Sequence, residues 1–317
     1  MGEFELIRRY FAAAPVSRAR LGIGDDCALL ADCPPGECLA VSTDLLLAGR
    51  HFFEDVDPAA LGWKSLAVNL SDLAAMGAQP VGFTLALALP VVDESWLSGF
   101  SAGLLDLAAR HGCELLGGDT TRGPLAIGIT IFGHVPPGQA LRRDCGRADD
   151  DLWVSGELGA AAFAVRERLA GRPLVRGHPA RERLERPLPR VALGRALLGT
   201  AHAAIDLSDG LRGDLGHLCE RSRLGARIDW PHVPVSGSLA DLPQADRVAL
   251  ALAGGDDYEL LFSAPQAARE TIAGLACEGA GGPVRIGSLT AEPGIRILNA
   301  DATPISTDEL SAFDHFR

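Results

Sequence analysis

Residues 57–89, DPAALGWKSLAVNLSDLAAMGAQPVGFTLALAL, decide how the chain is to be read. Asp57-Pro58 has the form of a helix N-cap followed by proline at the first helical position, where a missing N–H is harmless. Leu66, Leu70 and Leu73 recur at helical spacing, and Gly77 ends the run. The apolar stretch Phe83 to Leu89 then reads as a strand stopped by Pro90. Outward from this pair the alternation continues. Upstream, Leu39-Ala40-Val41 reads as a short buried strand running into a Ser42-Thr43-Asp44 turn. Downstream come a helix from about Glu94 to His111, a short strand Glu114-Leu115-Leu116 ending in a Gly117-Gly118-Asp119-Thr120-Thr121 turn, and a strand from Ile127 to Val135. Interleaved helices and strands imply an α/β unit.

Around Arg142 to Asp151 the composition turns polar, which sets a boundary between a first domain, 1–147, and a second, 148–317. Beyond it, Leu152 to Gly156 reads as a strand leading into an Ala-rich helix. The Arg- and Pro-rich stretch from about Arg172 to Arg190 reads as a surface connection. Strand Ala203-Ala204-Ile205 ends in Asp206-Leu207-Ser208-Asp209-Gly210, and Gly254-Gly255-Asp256-Asp257 precedes a strand from Tyr258 to Phe262.

Composition excludes several classes. Among 317 residues Asp+Glu number 41 against 29 Lys+Arg, a net charge of −12, which argues against a general nucleic-acid or anionic-membrane binder. Only one basic residue is a lysine, Lys64, which reads as a solvated side chain. It stands in no G-x-x-x-x-G-K-[ST] loop, so phosphate binding by a Walker lysine is ruled out, and a Schiff-base or protein-kinase lysine fits poorly. The 7 cysteines contain no C-x-x-C pair and read as small buried hydrophobes. Neither a signal peptide nor a long apolar run is evident, giving the expectation of a cytoplasmic protein.

The chemistry lies in acidic clusters that share one grammar, an apolar element ending in Gly, Ser, Thr and Asp. They are Gly22-Ile23-Gly24-Asp25-Asp26, Ser42-Thr43-Asp44, Asn69-Leu70-Ser71-Asp72, Gly117 to Thr121, and Asp206-Leu207-Ser208-Asp209. Each alone is ordinary turn or cap chemistry. Together, aspartates that converge without lysine or arginine beside them repel one another and need a cation. Oxygen donors without clustered Cys or His point to a hard ion, Mg2+, and Mg2+ held by carboxylates usually also holds phosphates, here those of ATP. Glycines beside the aspartates let backbone N–H groups approach phosphate oxygens. Asn69 and Asp72, three apart on one helix face, suggest that Asn69 orients Asp72.

The run Gly22 to Ala28, Ser42-Thr43-Asp44 with Gly49-Arg50-His51-Phe52, Asn69 to Ala78, Gly117 to Gly123, Ala204 to Leu211, Gly254 to Leu261 and the tail Phe313-Asp314-His315-Phe316 resemble, in order, the thiamine-monophosphate kinase family. The resemblance implies an aminoimidazole ribonucleotide synthetase-like fold of two domains, α/β and α+β. The N-terminal domain would form the core of a homodimer and the C-terminal domain would close the site. It implies Mg2+-dependent transfer of a phosphoryl group from ATP to thiamine monophosphate. The matched positions are Asp26, Ser42, Thr43, Asp44, Asp72, Asp119, Asp206 and Asp209 for magnesium. For the nucleotide they are Gly118, Asp119, Arg143 and Ser208, with Arg142 an equally placed neighbour of Arg143. For the thiamine substrate they are His51, Asp256 and Phe313. Of these, Asp44, Asp119 and Asp209 are expected to be catalytic.

Two relatives of that fold fit less well: a selenophosphate synthetase would need a Cys and a Lys near the N-terminus, and a hydrogenase-maturation dehydratase would end in Cys. A non-catalytic ADP-binding module is a third alternative, disfavoured by acid clusters in both domains. An attacking phosphate monoester is already anionic near pH 7, its second pKa being about 6, so no general base is required. Positioning and charge neutralisation are what such a transfer demands. A thiazolium cation is favoured by a carboxylate such as Asp256 and an aromatic face such as Phe313.

Overall fold

The computed structural model describes residues 3–11, 19–21, 29–30, 33–279 and 281–306. Asp26 and the rest of the Gly22–Cys27 run, like Phe313, lie outside the described residues. The chain divides into two units, one of residues 1–73 and 78–138, the other of residues 74–77 and 139–317. The polar stretch from Arg142 therefore belongs to the second unit and does not divide it from the first. The Ser222 hydroxyl explains the attachment, since it donates to the Arg143 carbonyl and accepts from the Gly146 N–H.

The first unit runs α1 (Glu3–Tyr10), β1 (Ala19–Leu21), β2 (Leu29–Leu30), β3 (Cys38–Leu47), α2 (Pro58–Ala75), β4 (Gln79–Leu89), α3 (Glu94–His111), β5 (Glu114–Arg122) and β6 (Ala126–Val135). Asp57 caps α2 by accepting from the Ala59 and Ala60 N–H groups, and Gly77, at φ 67, takes the left-handed turn that stops it. Asp93 and Gly112 bound α3 in the same way. A Cβ at Gly62 would lie 2.0 Å from the Phe100 carbonyl oxygen, and one at Gly103 would lie 1.8 Å from that of Ala59. These two glycines allow α2 and α3 to cross with their backbones in contact.

Of these strands, β1 pairs with β2, and the other four form a sheet in the order β3-β6-β4-β5. Its helix-facing side carries Val81, Phe83, Leu85, Leu87, Ile127, Ile129 and Ile131, all buried. Burial on this scale, at roughly 25 cal/mol per Å2 of apolar surface, is what holds so short a sheet to its helices. On the opposite side, among the described residues, apolar side chains of β3 are left open to solvent. Leu39, Val41, Leu45 and Leu47 are 49%, 55%, 56% and 40% exposed and stand in one row of β3.

Two expectations change here. Ser42-Thr43-Asp44 is not a turn after a buried strand; it lies in the middle of the ten-residue β3, paired throughout with β6. Gly117 to Thr121 likewise continues β5, in parallel register with β4. Both are edge strands, where one paired side suffices to hold turn-prone residues extended. Lys64 is not solvated. It is 4% exposed, because α2 is buried along nearly its whole length.

The second unit contains β7 (Asp151–Val154), α4 (Ala160–Leu169), α5 (Pro179–Glu185), α6 (Val191–Ala196), β8 (Ala203–Asp206), α7 (Leu211–Ser222), β9 (Gly225–Asp229), α8 (Gln244–Ala253), β10 (Leu260–Ala264), α9 (Arg269–Ala273), β11 (Val284–Thr290) and β12 (Gly294–Leu298). Its sheet has the order β12-β9-β11-β7-β10-β8, antiparallel except where β12 runs beside β9. Leu152, Val154, Ile205 and Leu261 pack with Leu211, Leu215, Leu218, Ala251 and Leu252 in one core. The unit is α+β, as expected.

The Arg172–Arg190 stretch is not merely a surface connection. It contains α5 and ends on Arg190, which is 3% exposed and ion-paired to the buried Glu259. The strand expected from Tyr258 begins instead at Leu260, because Asp256 and Tyr258 adopt left-handed backbone angles, φ 68 and 49. Cys113, Cys219 and Cys277 are buried as expected, but Cys38 and Cys145 are exposed, each on a polar or edge segment with no core beside it. Among the described residues, no helix is long and apolar enough to cross a membrane.

Candidate active site

In the first unit, alternation along β3 turns Ser42 and Asp44 toward α2. The Ser42 hydroxyl donates to Asp72 Oδ2, and the Asp44 N–H donates to Asn69 Oδ1 at 3.2 Å. Asn69 is itself fixed by donating from Nδ2 to the Ser65 carbonyl at 3.0 Å. It thus orients Asp44 on the strand, whereas the sequence suggested that it orients Asp72. Burial, and then the negative charge of Asp72, push the Asp44 carboxyl up to about 6. Such a pair of carboxylates is stabilised by an added cation.

Thr43 points the other way, its hydroxyl 2.9 Å from that of Thr130, so its side chain does not join Ser42, Asp44 and Asp72. Asp119 does not join them either. It stands on β5 opposite Ala86, in the row of Gly128 and Leu45, while β3 forms the other edge of the sheet. Three strand spacings, about 14 Å, separate the two edges. Gly118, at φ 154, brings β5 so close to β4 that a Cβ would lie 1.9 Å from the Leu85 carbonyl oxygen. His51 sits in the turn after β3, where its Nδ1 accepts from the Leu47 N–H at 2.9 Å. In the neutral imidazole the proton is then on Nε2.

In the second unit, two sequence motifs distant in the chain are joined by their backbones. Asp256 N–H donates to the Ser208 carbonyl (2.9 Å), Tyr258 N–H to the Leu207 carbonyl (2.8 Å), and Leu207 N–H to the Glu259 carbonyl (2.8 Å). Gly255 permits this approach, since a Cβ there would lie 2.4 Å from the Ser208 oxygen. Asp206, Ser208, Asp209 and Asp256 are thereby placed along one paired edge, next to the buried Asp214. Asp214 accepts from the Asp209 N–H at 3.1 Å. Burial first, then the charge of Asp206, push its carboxyl up to about 7, with the Asp209 N–H and the Arg143 guanidinium acting in the opposite sense. Arg143 and Arg142 are thus distinguished: Arg142 is held by Asp144, whereas the charge of Arg143 is felt at Asp214.

Asp214 was missed in the sequence because it lies inside α7, a helix that no motif announces. So was the anchor beneath the Gly254–Glu259 segment. Asp257 accepts from the Gly159 N–H at the start of α4 (3.1 and 3.0 Å), and burial drives its carboxyl well above the usual range. Glu259 receives Arg190 through two N–H groups, Nε at 2.6 Å and Nη2 at 2.5 Å, and the Ser155 hydroxyl as well. Among the described residues no three His, Cys, Asp or Glu side chains are grouped closely enough to hold a metal by themselves. The carboxylates instead stand in smaller sets, a pattern suited to a cation completed by ligand phosphates.

Comparison with known proteins places the chain in a family. Residues 24–135 match the AIR synthase related protein, N-terminal domain, and residues 147–298 match the AIR synthase related protein, C-terminal domain. Thiamine-monophosphate kinase of Escherichia coli K12 is 46% identical over 322 residues, covering 99% of this chain and 98% of that one. The crystal structure of thiamine-monophosphate kinase from Stenotrophomonas maltophilia K279a superposes with a TM-score of 0.86 at 44% identity, over 94% of this chain and 96% of that one. The structure of AaThiL complexed with AMPPCP and TMP superposes at 0.78 with 28% identity, over 99% and 97% of the two chains. Within the AIR synthase related class, the chain belongs to the thiamine-monophosphate kinase family.

Proposed function

We propose that the chain transfers the γ-phosphoryl group of ATP directly to the phosphate of thiamine monophosphate, forming thiamine diphosphate and ADP. The observation that carries this reading is the near full-length match to thiamine-monophosphate kinases with the acidic motifs in place; AaThiL, which shares the fold end to end, takes up an ATP analogue together with TMP. Ser42, Asp44 and Asp72 of the first unit and Asp206 and Asp209 of the second are the donors suited to Mg2+, together with Asp26. Thr43 and Asp119 would have to act apart from the Asp44 set. Bound Mg2+ would neutralise the charge that builds up as two polyanions meet.

The chain's own residues do the rest. Arg143 and the Ser208 hydroxyl supply donors to the nucleotide, and Gly118 and Asp119, on β5, are the other residues matched to it. His51 offers Nε2–H, and Asp256 offers a carboxylate to the cationic thiamine moiety, with Phe313 as an aromatic partner. No side chain needs to remove a proton from the attacking phosphate, which is ionised near neutral pH. In-line geometry and exclusion of water supply the rate.

We also propose that the exposed row Leu39, Val41, Leu45 and Leu47 docks against a second copy of the chain, since four large exposed apolar side chains on one strand face are unfavourable in water. Val41→Asp is expected to convert a dimer to a monomer in sedimentation analysis; a monomeric parent protein would refute the docking. The activity is tested by incubating the protein with ATP, Mg2+ and thiamine monophosphate and resolving the products by chromatography. Thiamine diphosphate should appear in step with ADP, and ADP without it would refute the substrate assignment.

A further inference from the structure

We infer that Tyr258 is a positioning residue for the substrate: its phenol fixes the Asp256 carboxylate in the orientation that meets the cationic thiamine moiety. The inference rests on the assignment of Asp256 to the substrate proposed above. Tyr258 Oη donates to Asp256 Oδ1 at 3.0 Å. Side chains two apart on an extended strand project side by side; here both residues are left-handed, at φ 68 and 49, and the segment turns so that phenol and carboxylate meet. That conformation is unfavourable for a bulky residue such as tyrosine, and it persists only where the surroundings over-determine it.

The surroundings do so. Asp257 is pinned by the Gly159 N–H, Glu259 by Arg190 and Ser155, and the backbones of Asp256 and Tyr258 by Ser208 and Leu207. The odd-numbered residues, Asp257 and Glu259, are buried anchors; the even-numbered ones, Asp256 and Tyr258, are only partly buried and are bonded to one another. Strain held in this way at a partly exposed carboxylate serves orientation more than stability. The bond from a neutral hydroxyl to a carboxylate is of the stronger, charge-assisted kind, and it fixes the rotation of the carboxylate.

The test is steady-state kinetics and thermal unfolding of Tyr258→Phe and Tyr258→Asn. Phenylalanine removes only the hydroxyl, whereas asparagine removes the phenol but enters the left-handed region readily. Both variants are expected to raise KM for thiamine monophosphate about tenfold, with kcat and KM for ATP within about twofold and Tm unchanged. In an Asp256→Asn background, Tyr258→Phe should add less than about twofold, because the carboxylate it orients is gone. An unchanged KM for thiamine monophosphate in Tyr258→Phe, or a parallel rise in KM for ATP, would overturn the inference. So would a Tyr258→Asn variant equal to the parent, which would make the role one of backbone alone. A parent protein that does not turn over thiamine monophosphate would remove the underlying reading instead, and that is seen before any variant is made.

Discussion

The two acidic sets are built in opposite ways. In the first unit, Asp44 and Asp72 face one another from an edge strand and a helix, tied through the Ser42 hydroxyl and the Asn69 amide. In the second, Asp206, Ser208, Asp209 and Asp256 ride on two segments zipped together by main-chain hydrogen bonds, above a buried ion pair. The first set is held by side chains and the second by the backbone. Function should therefore be separable from folding in the first, whereas in the second the anchors carry stability and the carboxylates of the paired edge carry chemistry.

The largest effect expected from this contrast is on turnover. Asp44→Asn and Asp209→Asn should each lower kcat by at least about 100-fold, since each removes charge from the group that handles phosphate. Neither should lower Tm. Asp44→Asn should raise it slightly at neutral pH by ending the repulsion with Asp72. Near-normal rates in both, measured by thiamine diphosphate formation, would detach these residues from the reaction.

The next effect separates anchor from site. Arg190→Met leaves Glu259, 1% exposed, without its two-pronged partner and should cost about 3–5 kcal/mol of stability in urea unfolding. The corresponding change in the first unit, Asn69→Ala, should cost only about 1–2 kcal/mol, because it removes neutral hydrogen bonds to the Asp44 N–H and the Ser65 carbonyl and leaves no charge unpaired. Equal losses would erase the distinction between the two constructions.

The smallest effect is one of pH. The Asp214 carboxyl is raised to about 7 in the folded protein from a reference value of 3.8, so between these values the native state holds a proton that the unfolded chain has released. The stabilisation by that proton is full below about pH 4 and is lost as pH rises through 7. Asp214→Asn keeps an oxygen for the Asp209 N–H but cannot ionise. In the presence of chelator it should raise Tm by several degrees at pH 8 and by about one degree or less at pH 4. A constant difference across that range would show that Asp214 does not titrate there.

Much of this was legible in the sequence, for identifiable reasons. The limits of α2 and α3 follow from Asp57-Pro58, Asp93 and Gly77 or Gly112, where local chemistry alone decides. The acidic motifs stood out because several of them share one pattern along the chain, although each alone is ordinary turn chemistry. What was not legible depends on partners far along the chain. Ser42 to Asp44 and Gly117 to Thr121 look like turns until β6 and β4 are seen beside them. Arg190 looks like one more arginine in a polar stretch until Glu259, 69 residues away, is found against it. The burial of Lys64 belongs to the same class, since nothing within α2 marks which of its faces is covered. The separation of Asp119 from Asp44 likewise follows from strand order, which spacing does not encode.

The central claim is direct transfer from ATP to thiamine monophosphate, and a single-turnover reaction with γ-32P-labelled ATP tests it most directly. The label should appear in thiamine diphosphate at the rate at which ADP forms, with none bound to the acid-quenched protein. Label released as inorganic phosphate, or retained on the protein before thiamine diphosphate appears, would contradict it.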